Sequence, residues 1–266
     1  MKQTTILFIA ILSLISQKVS HAEGTYEEEI VIRLVKTHVS SGTVWLGDGK
    51  NTFLSLYEEP ADPKSNKAVI LLHSMGMHAD WPEIMSPLRK QFPVLDWATL
   101  SVQLPLLDPQ ENHADYGSTF TNANNRIRLA VRYLQNKGYS NIVMIGYSFG
   151  ATTAINYLTN VKSSIKGLVG ISMQTHQFLK PKYNLINELS KISIPILDIY
   201  ANKDFTGVLK LVHDRRLAAN KAGNNYYEQV VVDDADHYFT GKDKELIRHI
   251  SVWLNQLIPD SVYNNE

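Results

Sequence analysis

Beyond residue 67 the chain alternates between two hydrophobic patterns. Short, nearly continuous apolar runs occupy residues 68–72, 98–104, 142–145, 168–171, 196–200 and 229–232, as strands buried on both faces require. Between them, apolar residues recur at i, i+3, i+4 and i+7: Trp81, Ile84, Met85, Leu88; Ile127, Ala130, Val131, Leu134; Ala151, Ala154, Ile155, Leu158; Ile250, Trp253, Leu254, Leu257. Strand and helix alternating in this way predict an α/β fold with a mostly parallel central sheet and helices on both faces. Residues 25–57 read differently. Ile30, Ile32 and Leu34 alternate, as do Phe53, Ser55 and Tyr57 against Leu54 and Leu56, with Gly47-Asp48-Gly49 as a turn. That pattern predicts antiparallel strands ahead of the parallel sheet, closing on an N-terminal hairpin.

The first residues follow another grammar. Met1-Lys2 leads into an apolar stretch from Ile6 to Ile15, and Ser20-His21-Ala22 stands just before Glu23. A basic start, about ten apolar residues and small residues at the third-last and last positions predict a signal peptide over residues 1–22, cleaved after Ala22. A spanning helix needs about twenty apolar residues, so no stable membrane anchor is expected after cleavage. The expected destination is the periplasm or the medium. Residues 23–266 then form a single domain, with no repeat and with a frayed polar tail at 260–266.

Composition narrows the chemistry. The 26 basic residues balance the 26 acidic ones, and loss of residues 1–22 leaves 24 against 26. There is no basic field for nucleic acid. Cysteine is absent, which removes thiol nucleophiles, disulfides and thiolate metal sites. A nucleophile here must carry oxygen or nitrogen. Asp108, Glu111, His113 and Asp115 share a polar loop without metal-ligand spacing, and no dinucleotide or phosphate loop occurs, so neither metal nor cofactor is expected.

Gly146-Tyr147-Ser148-Phe149-Gly150 joins a predicted strand directly to a predicted helix. A sharp strand-to-helix turn needs glycine-sized residues two before and two after its centre, and it leaves the Ser148 oxygen at a helix N-terminus, where negative charge is favoured. A serine nucleophile needs a base and an orienting carboxylate, which follow it in the order acid, then histidine, in this architecture. His237 follows the last predicted strand; His213 and His249 lie within helical stretches. Asp204 follows the penultimate strand through Ala201-Asn202-Lys203, whereas residues 172–177 contain no acid. Asp198, in mid-strand, reads as structural. For the oxyanion of acyl transfer the candidate donors are the Phe149 amide and the Met75 amide, the latter in the loop His73-Ser74-Met75-Gly76. His73 reads as a brace for that loop.

These residues together resemble the α/β-hydrolase superfamily over residues 25–259. The wording of residues 73–81, 97–105 and 146–150 is also similar to a family of exported bacterial proteins of unknown function within it. The resemblance implies an esterase-like reaction on Ser148, Asp204 and His237, with a small-molecule ester or thioester as partner. Loops of the superfamily usually read His-Gly where this chain has His73-Ser74, a departure that bears on the oxyanion site. Lids are usually inserted after the strand at 168–171, but only about twenty residues are available there, enough for a loop and a short helix near 185–189. The site is therefore expected to be open, with Met75, Tyr147, Met173 and Phe178 as a shallow apolar wall suited to small or medium acyl groups. The competing reading is a non-catalytic binding or envelope-assembly protein that keeps the fold.

Overall fold

The computed structural model describes residues 25–37, 42–47 and 49–259. The expected signal peptide and the polar tail at 260–266 lie outside the described residues. Eight strands form one sheet in the order β1-β2-β4-β3-β5-β6-β7-β8. They are β1 (Thr43–Leu46), β2 (Phe53–Glu58), β3 (Lys67–Leu72), β4 (Ala98–Val102), β5 (Asn141–Tyr147), β6 (Gly167–Ile171), β7 (Ile196–Lys203) and β8 (Tyr227–Asp236). The β1–β2 and β2–β4 pairings are antiparallel and the remaining pairings are parallel. The predicted α/β fold with an N-terminal hairpin is the fold observed.

Alternate residues of each central strand enter different cores. Ala68, Ile70 and Leu72 face α3 (Phe120–Asn136) and α4 (Phe149–Asn160) through Ile127, Leu134, Ala151 and Ile155. Val69 and Leu71 face α2 (Met85–Gln91) and α8 (Asp243–Leu257) through Met85, Leu88, Ile250 and Trp253. The continuous apolar runs follow from burial on both faces. The residues expected to lengthen α2, Trp81 and Ile84, precede its first turn. Between β6 and β7 the chain forms a loop and the single short helix α5 (Leu185–Leu189), and no covering domain. The helices α6 (Thr206–Leu209) and α7 (Val212–Lys221) connect β7 to β8.

One expected strand is a helix. Residues 30–34 belong to α1 (Tyr26–Thr37). Ile30 and Leu34 are four apart, so in a helix they share a face, and both are buried against Leu54 and Leu56 of β2. Ile32, which completes the apparent alternation, is 53% exposed. Burying the two apolar side chains contributes about 1.5–3 kcal/mol each. The start of α1 is closed by a reciprocal cap: Thr25 N–H donates to Glu28 Oε2 (2.6 Å) and Glu28 N–H to Thr25 Oγ1 (3.3 Å).

Candidate active site

The turn from β5 into α4 centres on Ser148, with φ 51° and ψ −111°. Side chains avoid this backbone region because Cβ crowds the neighbouring peptide, so surrounding contacts must hold it. They do: Ser148 N–H donates to Ile171 O (2.8 Å). Neither flanking glycine tolerates a side chain. A Cβ on Gly146 would lie 2.6 Å from the Ala151 backbone, and one on Gly150 would lie 2.1 Å from Leu72 O. The small residues required on either side of the turn are required by α4 on one side and β3 on the other.

Two and three strands further along, Asp204 leaves β7 and His237 leaves β8, and the two meet: His237 Nδ1 lies 2.6 Å from Asp204 Oδ1. The carboxylate is also held by Phe205 N–H (2.8 Å), by the Ser172 hydroxyl (2.5 Å) and by Ala201 N–H (3.3 Å). Burial alone would raise the Asp204 pKa; the hydrogen bonds from His237, Ser172 and Phe205 outweigh it and hold the carboxyl below its ordinary value. The imidazole is fixed in place as well. Phe205 stacks on it with centroids 4.0 Å apart and planes 17° apart, and the Tyr147 hydroxyl donates to the His237 carbonyl (3.1 Å). Ser148 Oγ accepts a hydrogen bond from Gln174 Nε2 (3.3 Å) rather than bonding His237. In a ligand-free site, contacts between nucleophile and base are often long and tighten only with substrate.

The start of the loop after β3, His73-Ser74-Met75-Gly76, is built without charge. His73 is 1% exposed, and burial pushes its pKa down to about 3. The neutral ring therefore has a defined tautomer: Nε2 accepts from Leu104 N–H (2.9 Å), leaving Nδ1–H to donate to Ser74 O (2.8 Å). The expected bracing role is what these contacts describe. The brace continues outward. Gln103 Nε2 reaches His73 Nε2 (3.2 Å), Gln103 Oε1 accepts from Ala79 N–H (3.1 Å), and Gln103 O accepts from Arg126 (2.7 Å). Arg126 is paired with Glu27 of α1 (2.5 Å), and Glu27 also accepts from Leu106 N–H (3.1 Å). Gly76 N–H donates to the Tyr116 hydroxyl (3.1 Å). Across the loop, Phe149 N–H donates to Ser74 Oγ (3.3 Å).

The expected apolar wall is divided by burial. Tyr147 and Met173 have no exposed surface: Tyr147 packs in the core on the α2–α8 face, and Met173 packs against Gly170 on the opposite face. Neither offers a surface for a ligand here, because the Tyr147 ring and the Met173 side chain both turn inward. Phe178 is half exposed, and Met75 lies partly buried against a cluster of Tyr116, Phe120, Phe149 and Leu179. Gln174 and Phe205, which no sequence pattern singles out, touch Ser148 and His237 directly. Asp198 forms a fully buried pair with Arg215 (2.7 Å), and Arg215 also donates to Met173 O (2.9 Å), so the pair steadies the segment that carries Gln174. Asp233, Asp234 and Asp236 diverge: Asp234 pairs with Lys203 (3.0 Å) while Asp236 accepts from the Tyr238 and Thr240 amides. Among the described residues no three His, Asp or Glu side chains gather where they could hold a metal ion, and no helix is long and apolar enough to cross a membrane.

The family model described as a protein of unknown function, DUF3530, matches residues 22–121 and 108–256. No match is found among curated protein sequences. Solved structures are similar over most of the chain. A lidless α/β serine hydrolase from Xanthomonas campestris aligns with a TM-score of 0.64 at 14% identity, covering 82% of this chain and 95% of its own. A Pyrococcus furiosus esterase aligns with a TM-score of 0.66 at 20% identity, covering 84% of this chain and 95% of its own. A dienelactone hydrolase from Anabaena variabilis aligns with a TM-score of 0.63 at 16% identity, covering 80% and 96%. At these identities the likeness is one of fold: the chain has the α/β-hydrolase architecture.

Proposed function

The chain belongs to the DUF3530 family, a membership that brings no activity with it, and we propose from its own residues that it is a serine hydrolase acting on carboxylic esters or thioesters of small to medium acyl groups. The observation that carries the reading is the strained Ser148 at the head of α4 together with a carboxylate-bound imidazole at the same end of the sheet, where β5, β7 and β8 finish. Nothing in the packing of a purely structural turn requires that combination. In the proposed reaction Nε2 of His237 takes the Ser148 proton as Oγ attacks the carbonyl carbon, while Asp204 holds Nδ1–H and stabilises the imidazolium. The Phe149 and Met75 amides receive the oxyanion. The tetrahedral state collapses with His237 returning the proton to the departing alcohol or thiol. Water, deprotonated by His237, then attacks the acyl-enzyme and releases the acid. The hydrolase and esterase named above share the fold and support the class of chemistry.

Since α5 is the only helix between β6 and β7, the acyl chain meets Met75 and Phe178 and then solvent. A few methylenes buried at about 0.8 kcal/mol each favour roughly two to eight acyl carbons. The second reading, a binding or envelope-assembly protein, draws on two contacts: Ser148 bonded to Gln174, and the Phe149 amide already engaged by Ser74. Hydrolysis of aryl acetate and butyrate by the purified chain, with Ser148→Ala as control, separates the two. Turnover that disappears in the variant supports the hydrolase; equal rates for both proteins contradict it. Export belongs to the proposal too, and N-terminal sequencing of secreted protein is expected to begin at Glu23; full-length chain retained in the cytoplasm contradicts export.

A further inference from the structure

The Ser74 hydroxyl occupies an unusual position. Phe149 N–H, the first amide of α4, donates to it at 3.3 Å, and Ser74 is only 9% exposed. Its backbone is fixed, because the Ser74 carbonyl accepts from His73 Nδ1–H (2.8 Å) and from Met77 N–H (3.3 Å). The freedom that remains is rotation of the side chain and of the O–H bond. A small void of about 10 Å³, lined by Ser74, Met75, Phe149 and Thr153 among others, leaves the hydroxyl room to turn. A glycine at this position would offer no such group.

In the free protein the hydroxyl acts as an acceptor. A hydroxyl carries one donor and two lone pairs, and its hydrogen rotates to suit its surroundings. When a carbonyl oxygen takes the Phe149 amide, Ser74 Oγ loses its donor and stands beside an oxygen that gains negative charge as the tetrahedral state forms. The favourable response is to turn the O–H toward that oxygen. Resting on the hydrolase reading, we propose that Ser74 is a catalytic residue whose hydroxyl donates a third hydrogen bond to the oxyanion, beside the Phe149 and Met75 amides. No bond is made or broken at Ser74; it exchanges an accepted hydrogen bond for a donated one. The contact is strongest where charge is greatest, so it favours the transition state over bound substrate.

The test compares wild type, Ser74→Ala and Ser74→Gly on one aryl ester, together with inhibition by an aryl trifluoromethyl ketone, which forms a stable oxyanion on a nucleophilic serine. Removal of one oxyanion donor ordinarily costs about a hundredfold to a thousandfold in kcat. With two amides remaining, a loss of roughly ten- to a hundredfold in kcat is expected for both variants, with KM within about twofold and ketone affinity weakened by the same factor as kcat/KM. Wild-type kcat in Ser74→Ala overturns the proposal. So does a slowed variant that binds the ketone as tightly as wild type, since that loss would come from loop disorder. Inert wild-type protein would overturn the hydrolase reading and this proposal together, whereas active wild type with an unaffected alanine variant overturns this proposal alone.

Discussion

On the β7–β8 side of Ser148 stand ionisable groups on adjoining strand ends, Asp204 and His237, joined directly at 2.6 Å. On the β3 side stands the turn His73-Ser74-Met75-Gly76, in which His73 is buried and neutral and whose supports run through Gln103 and Arg126 to Glu27 on α1. The first half joins the ends of adjacent strands and is suited to moving protons. The second runs outward from the ring through Gln103 and Arg126 to a helix 99 residues away in sequence, and is suited to holding amides still. Changes in the first half should therefore strike rate, and changes in the second should strike stability and rate together.

The largest effects are expected on the proton-moving side. Ser148→Ala and His237→Ala should each lower ester turnover by at least about a thousandfold with folding intact, and the double variant should be little slower than either, since the members act as a unit. A double variant far slower than both singles would contradict a shared mechanism. Asp204→Asn should keep the fold and lose about a hundredfold or more, because the amide no longer favours the required tautomer and imidazolium. Unchanged turnover would remove Asp204 from its role.

Much of this half was legible in the sequence. Ser148, Asp204 and His237 sit where strand order alone puts them, at the ends of β5, β7 and β8, and short buried strands are the strongest pattern in the chain. The brace on the other side was legible only at His73. Glu27 and Arg126 meet across 99 residues, and no local spacing announces such a pair. Residues 30–34 fit a period of two as well as a period of four, and the deciding signal was the Thr25…Glu28 cap at the helix start. Tyr147 and Met173 flank the expected site in sequence yet point into the core, which neighbouring Gly170 and the α2–α8 face make possible. Gln174 and Phe205 carry no motif; only the folded loops bring them over Ser148 and His237.

Smaller effects sharpen the contrast. His73→Ala leaves Leu104 N–H without its partner, takes one of two donors from Ser74 O and opens a void, so chemical denaturation should show a loss of about 2–4 kcal/mol. A loss under about 1 kcal/mol would mean that the loop is not held by the ring. Glu27→Ala strips Arg126 of a partly buried partner and should cost about 1–3 kcal/mol, with turnover lowered only a few-fold; unchanged stability would detach α1 from the brace.

Acidification should show the same division. Burial lowers the pKa of His73 to about 3 and, with His237 nearby, that of His176 to about 4. An unfolded histidine takes its proton near 6.5, so between about pH 6.5 and 4 the unfolded chain binds more protons and stability falls as pH falls. Each ring contributes a slope of about 1 kcal/mol per pH unit, and Asp204 adds its own loss only below about pH 4. His176→Phe should flatten the profile by one ring's share. An identical slope in that variant would show that His176 is not buried neutral.

Whether Ser148 is an activated nucleophile is read out by covalent labelling with a fluorophosphonate probe. One label per wild-type chain is expected, mapped by mass spectrometry to the peptide holding Ser148, absent from Ser148→Ala and strongly slowed in His237→Ala. No labelling of folded wild-type protein, or equal labelling of Ser148→Ala, would contradict it.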